Sequence, residues 1–135
     1  MEKDYIQPPE VFPSERFGFT QVVASPPGRL VFVSGQVAWG PDLKLVGGSD
    51  VAAQAQQALI NLGHALRAAG ASPSDLTMLR VYVVDNKPEH AGAVAQHLRS
   101  FLGGAPPPAS TWIGVQSLAA PGLLIEIEAV AVVSA

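Results

Sequence analysis

The sequence predicts an α+β fold in which two helices cover one face of a β-sheet. Three observations lead to this prediction: apolar segments typical of strands, two segments with apolar residues at helical spacing, and their order along the chain, β-β-α-β-α-β-β. The length of 135 residues fits one domain. We therefore expect a single domain over residues 1–135, in which residues 1–16, rich in proline and charge, form an extended N-terminal arm.

The five predicted strands are short segments rich in apolar and β-branched residues. Proline and glycine punctuate the turns between them. The segment 30–39 is almost continuously apolar, which favours a strand that is covered on both faces. In chain order the predicted strands are 17–24, 30–39, 76–85, 110–115 and 123–133.

Two helices are expected between these strands. The first covers about 51–69, because Ser49 or Asp50 can cap its start and Gly70 can end it. The second begins at Pro88, a residue that suits the first turn of a helix, and ends before the glycines and prolines that follow position 102. Both helices cover the same face of the sheet, so the other apolar face needs a partner. This predicts a homo-oligomer.

The composition of the chain also favours a homo-oligomer, and it disfavours several other classes of protein. Hydrophobic residues make up 48% of the chain and charged residues 14%, which favours burial of surface against other subunits. The basic residues are scattered and the net charge is −3, so nucleic-acid binding is disfavoured. The absence of cysteine excludes disulfides and thiol chemistry. No signal peptide or membrane-spanning run is visible, so we expect a cytoplasmic protein without membrane contact.

The histidines do not form a predicted metal site. His90 and His97 are seven residues apart on the second helix, and no acidic residue stands at the spacing a shared ion needs. We therefore expect no metal site. His97 alone is kept as a candidate functional histidine.

The segment "IEIEA" places two glutamates in an otherwise apolar strand. Side chains alternate along a strand, so Glu126 and Glu128 share one face with Leu124 and Val130. Two interpretations are open. The face is a solvent-exposed edge, or one glutamate lies at a cleft, where it acts as an acid or base.

The segment "SGQ" places Gly35 within or at the end of a strand. A glycine in this position is typical of a bulge or of a close approach by another group. Its amide is a possible donor to a ligand carboxylate, and a plain bulge is the alternative.

Taken together, these motifs resemble those of the Rid family, also called YjgF or endoribonuclease L-PSP. The resemblance rests on "SGQ", a glutamine-rich helix with "NL" and "AAG", a strand ending in Asp85, and "EIEA", and it runs from about Gln21 to Val133. It implies a chorismate-mutase-like fold and a homotrimer with a central β-barrel and three clefts between subunits. The best-known members of the family hydrolyse reactive enamines and imines to keto acids and ammonia without a cofactor.

The resemblance also implies roles for two residues that match the family. A glutamate of the family's "EIEA" motif positions or activates the hydrolytic water, and it corresponds to Glu126. The glycine of the family's "SGQ" motif corresponds to Gly35.

Three other positions depart from the family pattern. The arginine of the family's "P-A-R" motif, which clamps the substrate carboxylate, corresponds to Ser110. A tyrosine of the N-terminal segment corresponds to Phe19, and an asparagine of the second helix to Ala95. Trp112 shares a strand face with Ser110, so an indole is expected at the cleft. Such a cleft suits a neutral or aromatic ligand.

Two function classes stay open at this point. The first is an enamine or imine hydrolase (a deaminase) on an unidentified substrate, with Glu126 as general acid/base. The second is a non-catalytic trimer that binds a small molecule or a protein partner in the same cleft. A ribonuclease is disfavoured by the acidic balance of the chain. The sequence assigns no role to Glu128 or His97, nor does it decide whether Trp112 lines or blocks the cleft.

Overall fold

A computed structural model describes residues 1–135 as a four-stranded sheet, two helices and a small two-stranded ribbon. The main sheet has the strand order β3-β6-β4-β5; β4 and β5 are parallel and the other neighbours antiparallel. The ribbon pairs β1 with β2. Short 3-10 turns cover Ser14–Phe17 and Pro73–Asp75. The elements are β1 (Asp4–Ile6), β2 (Val22–Ala24), β3 (Arg29–Gln36), α1 (Val51–Ala68), β4 (Leu76–Val84), α2 (Pro88–Leu102), β5 (Ala109–Val115) and β6 (Ile125–Val133).

The core lies between the two helices and one face of the main sheet, which confirms the predicted α+β arrangement. Leu62 of α1, Val81 of β4 and Ile127 of β6 are fully buried there. The strand β6 alternates as predicted, and every second residue enters this core. The residues that do so are Ile125, Ile127, Ala129 and Ala131.

Both predicted helices are confirmed at their starts. The Asp50 carboxylate accepts a hydrogen bond from the Ala52 amide at 3.0 Å, so Asp50 rather than Ser49 caps α1. Gly70 follows the end of α1 with a φ of +74°, a conformation that favours glycine. Pro88 occupies the first turn of α2. Neither helix combines the length and the apolarity that crossing a membrane requires.

The first predicted strand, 17–24, is wrong over residues 17–21. Residues 14–17 form a 3-10 turn instead, and only Val22–Ala24 is a strand. The buried Ser14 stabilises this turn, because its hydroxyl donates to the Phe19 carbonyl at 2.7 Å. The remaining strand pairs with Asp4–Ile6 of the N-terminal segment and not with the main sheet. The main sheet therefore has four strands and not five.

The predicted strand 30–39 is also shorter than expected and ends at Gln36. Beyond that point the backbone turns away from the sheet, and the side chain of Asn61 holds it. The Asn61 amide donates to the carbonyls of Val37 and Trp39, both at 2.8 Å. Helix α1 thereby fixes the segment that follows Gly35.

The second face of the main sheet carries no helix, and we call it the open face. It presents two large apolar side chains of the edge strand β3: Leu30 is 59% exposed and Phe32 is 73% exposed. Within one chain only one face of this strand is covered, and cover of the other face by a second copy stays a prediction. The other residues of the open face come from β4, β5 and β6, and several of them are polar.

Candidate functional site

The polar part of the open face lies where β6 runs beside β4. Tyr82 is the register partner of Glu126, and Arg80 is the register partner of Glu128. Paired residues on neighbouring antiparallel strands project to the same side of the sheet. Four polar side chains are therefore adjacent on one surface, and two of them are carboxylates.

Glu128 is held by both side chains of β4. The Tyr82 hydroxyl donates a hydrogen bond to Glu128 Oε1, and Arg80 Nη1 lies 3.7 Å from Glu128 Oε2. The hydrogen bond to the Glu128 carboxylate is the main cause that raises the pKa of Tyr82 above its ordinary value of 10.0, because removing the phenol proton breaks that bond. Glu128 is thus engaged within its own chain.

Glu126 has a different environment. Its side chain is half-buried and makes no hydrogen bond or ion pair within the chain. It lies directly against Gly35: a Cβ added to Gly35 would come within 2.6 Å of Glu126 Cδ. The register of β3 and β6 also shifts between Val33 and Gln36, so the glycine marks both a bulge and a close approach. Gly35 thereby leaves the space that the Glu126 carboxylate occupies.

A buried glutamine fixes the start of the strand that carries Glu126. The amide group of Gln54, on α1, donates to the carbonyls of Gly48 and Gly122 at 2.7 and 2.9 Å. Its Oε1 accepts from the Leu124 amide at 2.9 Å. Gln54 is fully buried, and these three bonds explain how a polar side chain is accommodated there. They hold the entry to β6 two residues before Glu126.

Ser110 and Trp112 lie on the opposite face of the sheet from Glu126. They are the register partners of Leu79 and Val81, two buried residues that face the helices. Trp112 is half-buried against the core, and its indole Nε1 donates to Asn86 Oδ1 at 2.8 Å. The two residues do share a strand face, as predicted, but that face is not the one that bears Glu126.

Phe19 lies near the start of β5 and near Ser110, because the residue after it is hydrogen-bonded to the segment that leads into β5. The next residue, Thr20, donates from its amide to Pro108 O at 3.1 Å and from its hydroxyl to Pro107 O at 2.6 Å. The Phe19 ring also contacts that of Phe12, with centroids 6.0 Å apart. Ala95 is half-exposed on α2 beside the buried Val94, and it contributes only a methyl group.

The candidate residues thus fall into two groups. One contains Gly35 and Glu126 on the open face, and the other contains Phe19, Ser110 and Trp112 around β5. Sequence reasoning missed Tyr82 as a partner of Glu128 and Asn86 as a partner of Trp112. The alternation in "RVYVV" does indicate that Arg80 and Tyr82 share a face, but no pattern in the sequence indicates that Asn86 reaches Trp112.

The structure shows no cluster of three or more His, Asp or Glu side chains that could hold a metal ion. His97 lies on the helix side of the molecule, in a groove between α1 and α2. It belongs to neither group of candidate residues.

Comparison with known proteins places the chain in a family. The family model described as Endoribonuclease L-PSP matches residues 12–133. The rat 2-iminobutanoate/2-iminopropanoate deaminase is 34% identical over 105 residues, which are 77% of this chain and 73% of the rat protein. The crystal structure of YyfB, a protein of the conserved Rid family from Yersinia pestis, is 47% identical with a TM-score of 0.93, over 98% of this chain and 100% of that one. A YjgF-family protein from Mycobacterium tuberculosis is 31% identical with a TM-score of 0.64 over the same shares. The chain therefore belongs to the Rid family, the family of endoribonuclease L-PSP and YjgF.

Proposed function

We propose that this protein hydrolyses an imine or enamine to a carbonyl compound and ammonia, with Glu126 as the general acid/base and without a cofactor. The observation that carries the proposal is the contrast between the two glutamates of β6. Glu128 is bound by Tyr82 and Arg80, whereas Glu126 has no partner within the chain and lies over Gly35. A carboxylate without a partner is free to exchange protons with a bound water or substrate.

The chemistry starts from the protonated imine and requires one water. Water adds to the carbon of the C=N bond, and Glu126 accepts a proton from this water as the C–O bond forms, which gives a neutral carbinolamine. Glu126 then returns that proton to the carbinolamine nitrogen. The C–N bond breaks as Glu126 takes the hydroxyl proton and the C=O bond forms, and this last proton leaves with ammonia as ammonium. A positioned acid/base of this kind accelerates proton transfer by about 10²–10⁴-fold.

We further propose that the site is completed between copies in a homotrimer. Glu126 and Ser110 lie on opposite faces of one sheet, so a cleft that contains both groups of candidate residues needs two chains. The exposed Leu30 and Phe32 support self-association through the open face. In this arrangement one copy contributes Gly35 and Glu126, and a neighbour contributes Phe19, Ala95, Ser110 and Trp112.

The substrate is proposed to differ from those of family members that have an arginine clamp. Ser110 stands at the position that corresponds to this arginine, and a serine cannot form the two parallel hydrogen bonds by which a guanidinium holds a carboxylate. Phe12, Phe19 and Trp112 instead provide aromatic surface. An imine with an aromatic or other large apolar side chain therefore fits this site better than a small one whose binding depends on its carboxylate.

The test is a comparison of two imines with matched variants. An L-amino-acid oxidase generates the imino acids of alanine and phenylalanine, and semicarbazide traps whatever is not hydrolysed. We expect the wild-type protein to lower trapping of the phenylalanine-derived imine, and Glu126→Gln to reduce this effect by at least about 100-fold. Glu128→Gln makes the same change two residues away on the same face, and it should stay active. Ser110→Arg should raise hydrolysis of the alanine-derived imine, which has little besides its carboxylate to bind by.

The alternative is a non-catalytic trimer that binds a small molecule in the same cleft. The packing of Trp112 against the core and its bond to Asn86 favour it, because they are compatible with an indole that closes the cleft. If wild type hydrolyses neither imine while Ser110→Arg gains activity, the scaffold is competent and the native ligand is of another class. If both are inactive, the binding protein is the better description.

A further inference from the structure

A groove on the helix side of the molecule lies between α1 and α2, away from both groups of candidate residues. It has a volume of about 520 Å³, which falls in the range of small-molecule sites, roughly 300–1,000 Å³. Leu59, Ile60 and Phe101 give it an apolar floor. Ile60 is 46% exposed there, and no other element covers it. None of the residues that the proposed trimer brings to its clefts or its open face lines this groove.

The polar residues around this floor are all neutral or basic. His64, Arg67 and His97 line the groove, and none of its lining residues is acidic. The ion pairs of the chain join Lys44 with Asp42, Arg80 with Glu128 and Lys87 with Asp85, so Arg67 has no carboxylate partner. An arginine next to apolar surface with no acidic partner is suited to an anionic ligand.

Arg67 and His64 are oriented relative to each other. Arg67 Nη1 lies 3.3 Å from His64 Nδ1. Arginine has no acceptor, so His64 Nδ1 must accept this bond and the imidazole proton must be on Nε2. The pair therefore presents only donors to the groove: the remaining N–H groups of the guanidinium and the N–H of the imidazole.

The carbonyl groups at the end of α1 do not offset the positive charge of Arg67 in the groove. The last carbonyls of a helix normally carry a partial negative charge. Here the Leu66 carbonyl accepts from the Ala71 amide at 2.8 Å and the Arg67 carbonyl from the Gly70 amide at 3.0 Å. The Ala69 carbonyl accepts from Arg29 Nη2 at 2.6 Å. These carbonyls are engaged by the protein itself.

We propose that the groove between α1 and α2 binds a small carboxylate with an apolar body, held at its carboxylate by Arg67 and at its apolar end by Ile60 and Phe101. His64 orients the guanidinium and donates from Nε2, and His97 borders the same end. The site is separate from the proposed hydrolytic site. Binding of a ligand in this groove would be a second function of the protein. It does not depend on the reaction proposed for Glu126.

The experiment is a titration of the labelled full-length protein with cinnamate and, in parallel, with cinnamyl alcohol, followed by amide NMR. The two probes share an apolar body, and only cinnamate has a carboxylate. We expect saturable shifts for cinnamate at residues of α1 and α2 that line the groove, notably Gly63, Arg67 and Phe101. We expect the alcohol to bind about tenfold more weakly or not at all, since a hydrogen bond to a charged group contributes at least about that factor.

Two variants and one control locate the binding. Arg67→Gln should weaken cinnamate binding about tenfold, whereas Arg99→Gln, which removes an exposed arginine from the last turn of α2, should leave it unchanged. Ile60→Glu places a negative charge on the groove at a position that is 46% exposed, and it should abolish binding of cinnamate.

Three results would overturn the proposal. They are equal affinity for acid and alcohol, shifts that map to the open face or to β5 instead of the groove, and an Arg67→Gln effect no larger than that of Arg99→Gln. None of these results bears on the imine assay, so failure of one proposal is distinguishable from failure of the other.

Discussion

The two faces of the main sheet differ in what they contribute. On the helix-covered face, the central strands β4 and β6 present apolar, fully buried side chains, as at Leu79, Val81 and Ile127. The open face bears Arg80, Tyr82 and the two glutamates, beside the exposed Phe32. Strand β6 contributes to both faces through the alternation of its side chains. Stability and the candidate chemistry therefore depend on alternate residues of the same strand. A mutation on one face should affect mainly stability, and a mutation on the other face mainly activity.

The largest expected effect comes from the covered face. Ile127→Ala removes a fully buried side chain from the core and should lower the free energy of unfolding by about 2–5 kcal/mol. Urea denaturation at one fixed protein concentration measures this, since self-association also affects apparent stability. Thr111→Ala, an exposed residue on the open face, is the control and should cost less than about 1 kcal/mol. Equal losses for the two variants would contradict the distinction between the faces.

The second effect concerns activity rather than stability. Gly35→Ala introduces a Cβ into the space of the Glu126 side chain, which must then move. Displacement of a catalytic group by about 1 Å can cost about 100-fold, so we expect imine hydrolysis to fall by that order while the protein stays folded. Gly92→Ala on α2 is the matched control, because nothing lies within 4 Å of its added Cβ. Full activity of Gly35→Ala would mean that Glu126 does not act from its observed position.

The helices and the covered face could be predicted from the sequence because each rests on local patterns. Apolar spacing gave α1 and α2, and the alternation in "IEIEA" assigned the faces of β6 correctly. The first strand could not be placed in the same way. Its apolar residues satisfy a strand pattern, but Ser14 closes a turn through contacts with Gln7 and Phe19 that the pattern does not contain.

The candidate site was less predictable than the fold. Glu126 and Gly35 were identified through their motifs, and the structure places them in contact. What separates Glu126 from Glu128 is the register of β4 against β6, which brings Tyr82 and Arg80 beside the pair. Register depends on pairing between distant segments, so one sequence does not reveal it. For the same reason the sequence does not indicate that Ser110 and Glu126 project from opposite faces of the sheet.

The third prediction tests whether the open face is a contact surface. Phe32→Asp places a charge where we expect apolar contact between copies. It should raise the dissociation constant of the assembly by at least about tenfold, because burial of one such side chain contributes about 1.5–3 kcal/mol. Light scattering over a range of protein concentrations measures the mass. Leu43→Asp is the control: Leu43 is similarly exposed, at 70%, but lies in a loop with a positive φ that aspartate tolerates. An unchanged mass for Phe32→Asp would remove the support for a cleft between copies.

The smallest expected effect is a change in the titration of Tyr82, and it tests the contrast between the two glutamates most directly. The hydrogen bond to the Glu128 carboxylate raises the pKa of Tyr82 in the folded state. The pKa of Tyr5 is also raised, by burial and by Asp75, and these are the two tyrosines of the chain. Ultraviolet titration in a Tyr5→Phe background therefore isolates Tyr82. We expect Glu128→Gln to move its pKa back towards about 10, and Glu126→Gln to move it less.

The same linkage gives the direction of a stability change with pH. Because folding raises the pKa of Tyr82, its hydrogen bond stabilises the folded state fully below the unfolded pKa of about 10. This contribution is lost as the pH rises through the folded pKa. Stability at alkaline pH should therefore fall less steeply in Glu128→Gln than in the Tyr5→Phe parent. If Glu126→Gln instead produced the larger change in both measurements, Glu126 would be the carboxylate bound by Tyr82, and the reason for assigning it the free, proton-exchanging role would be gone.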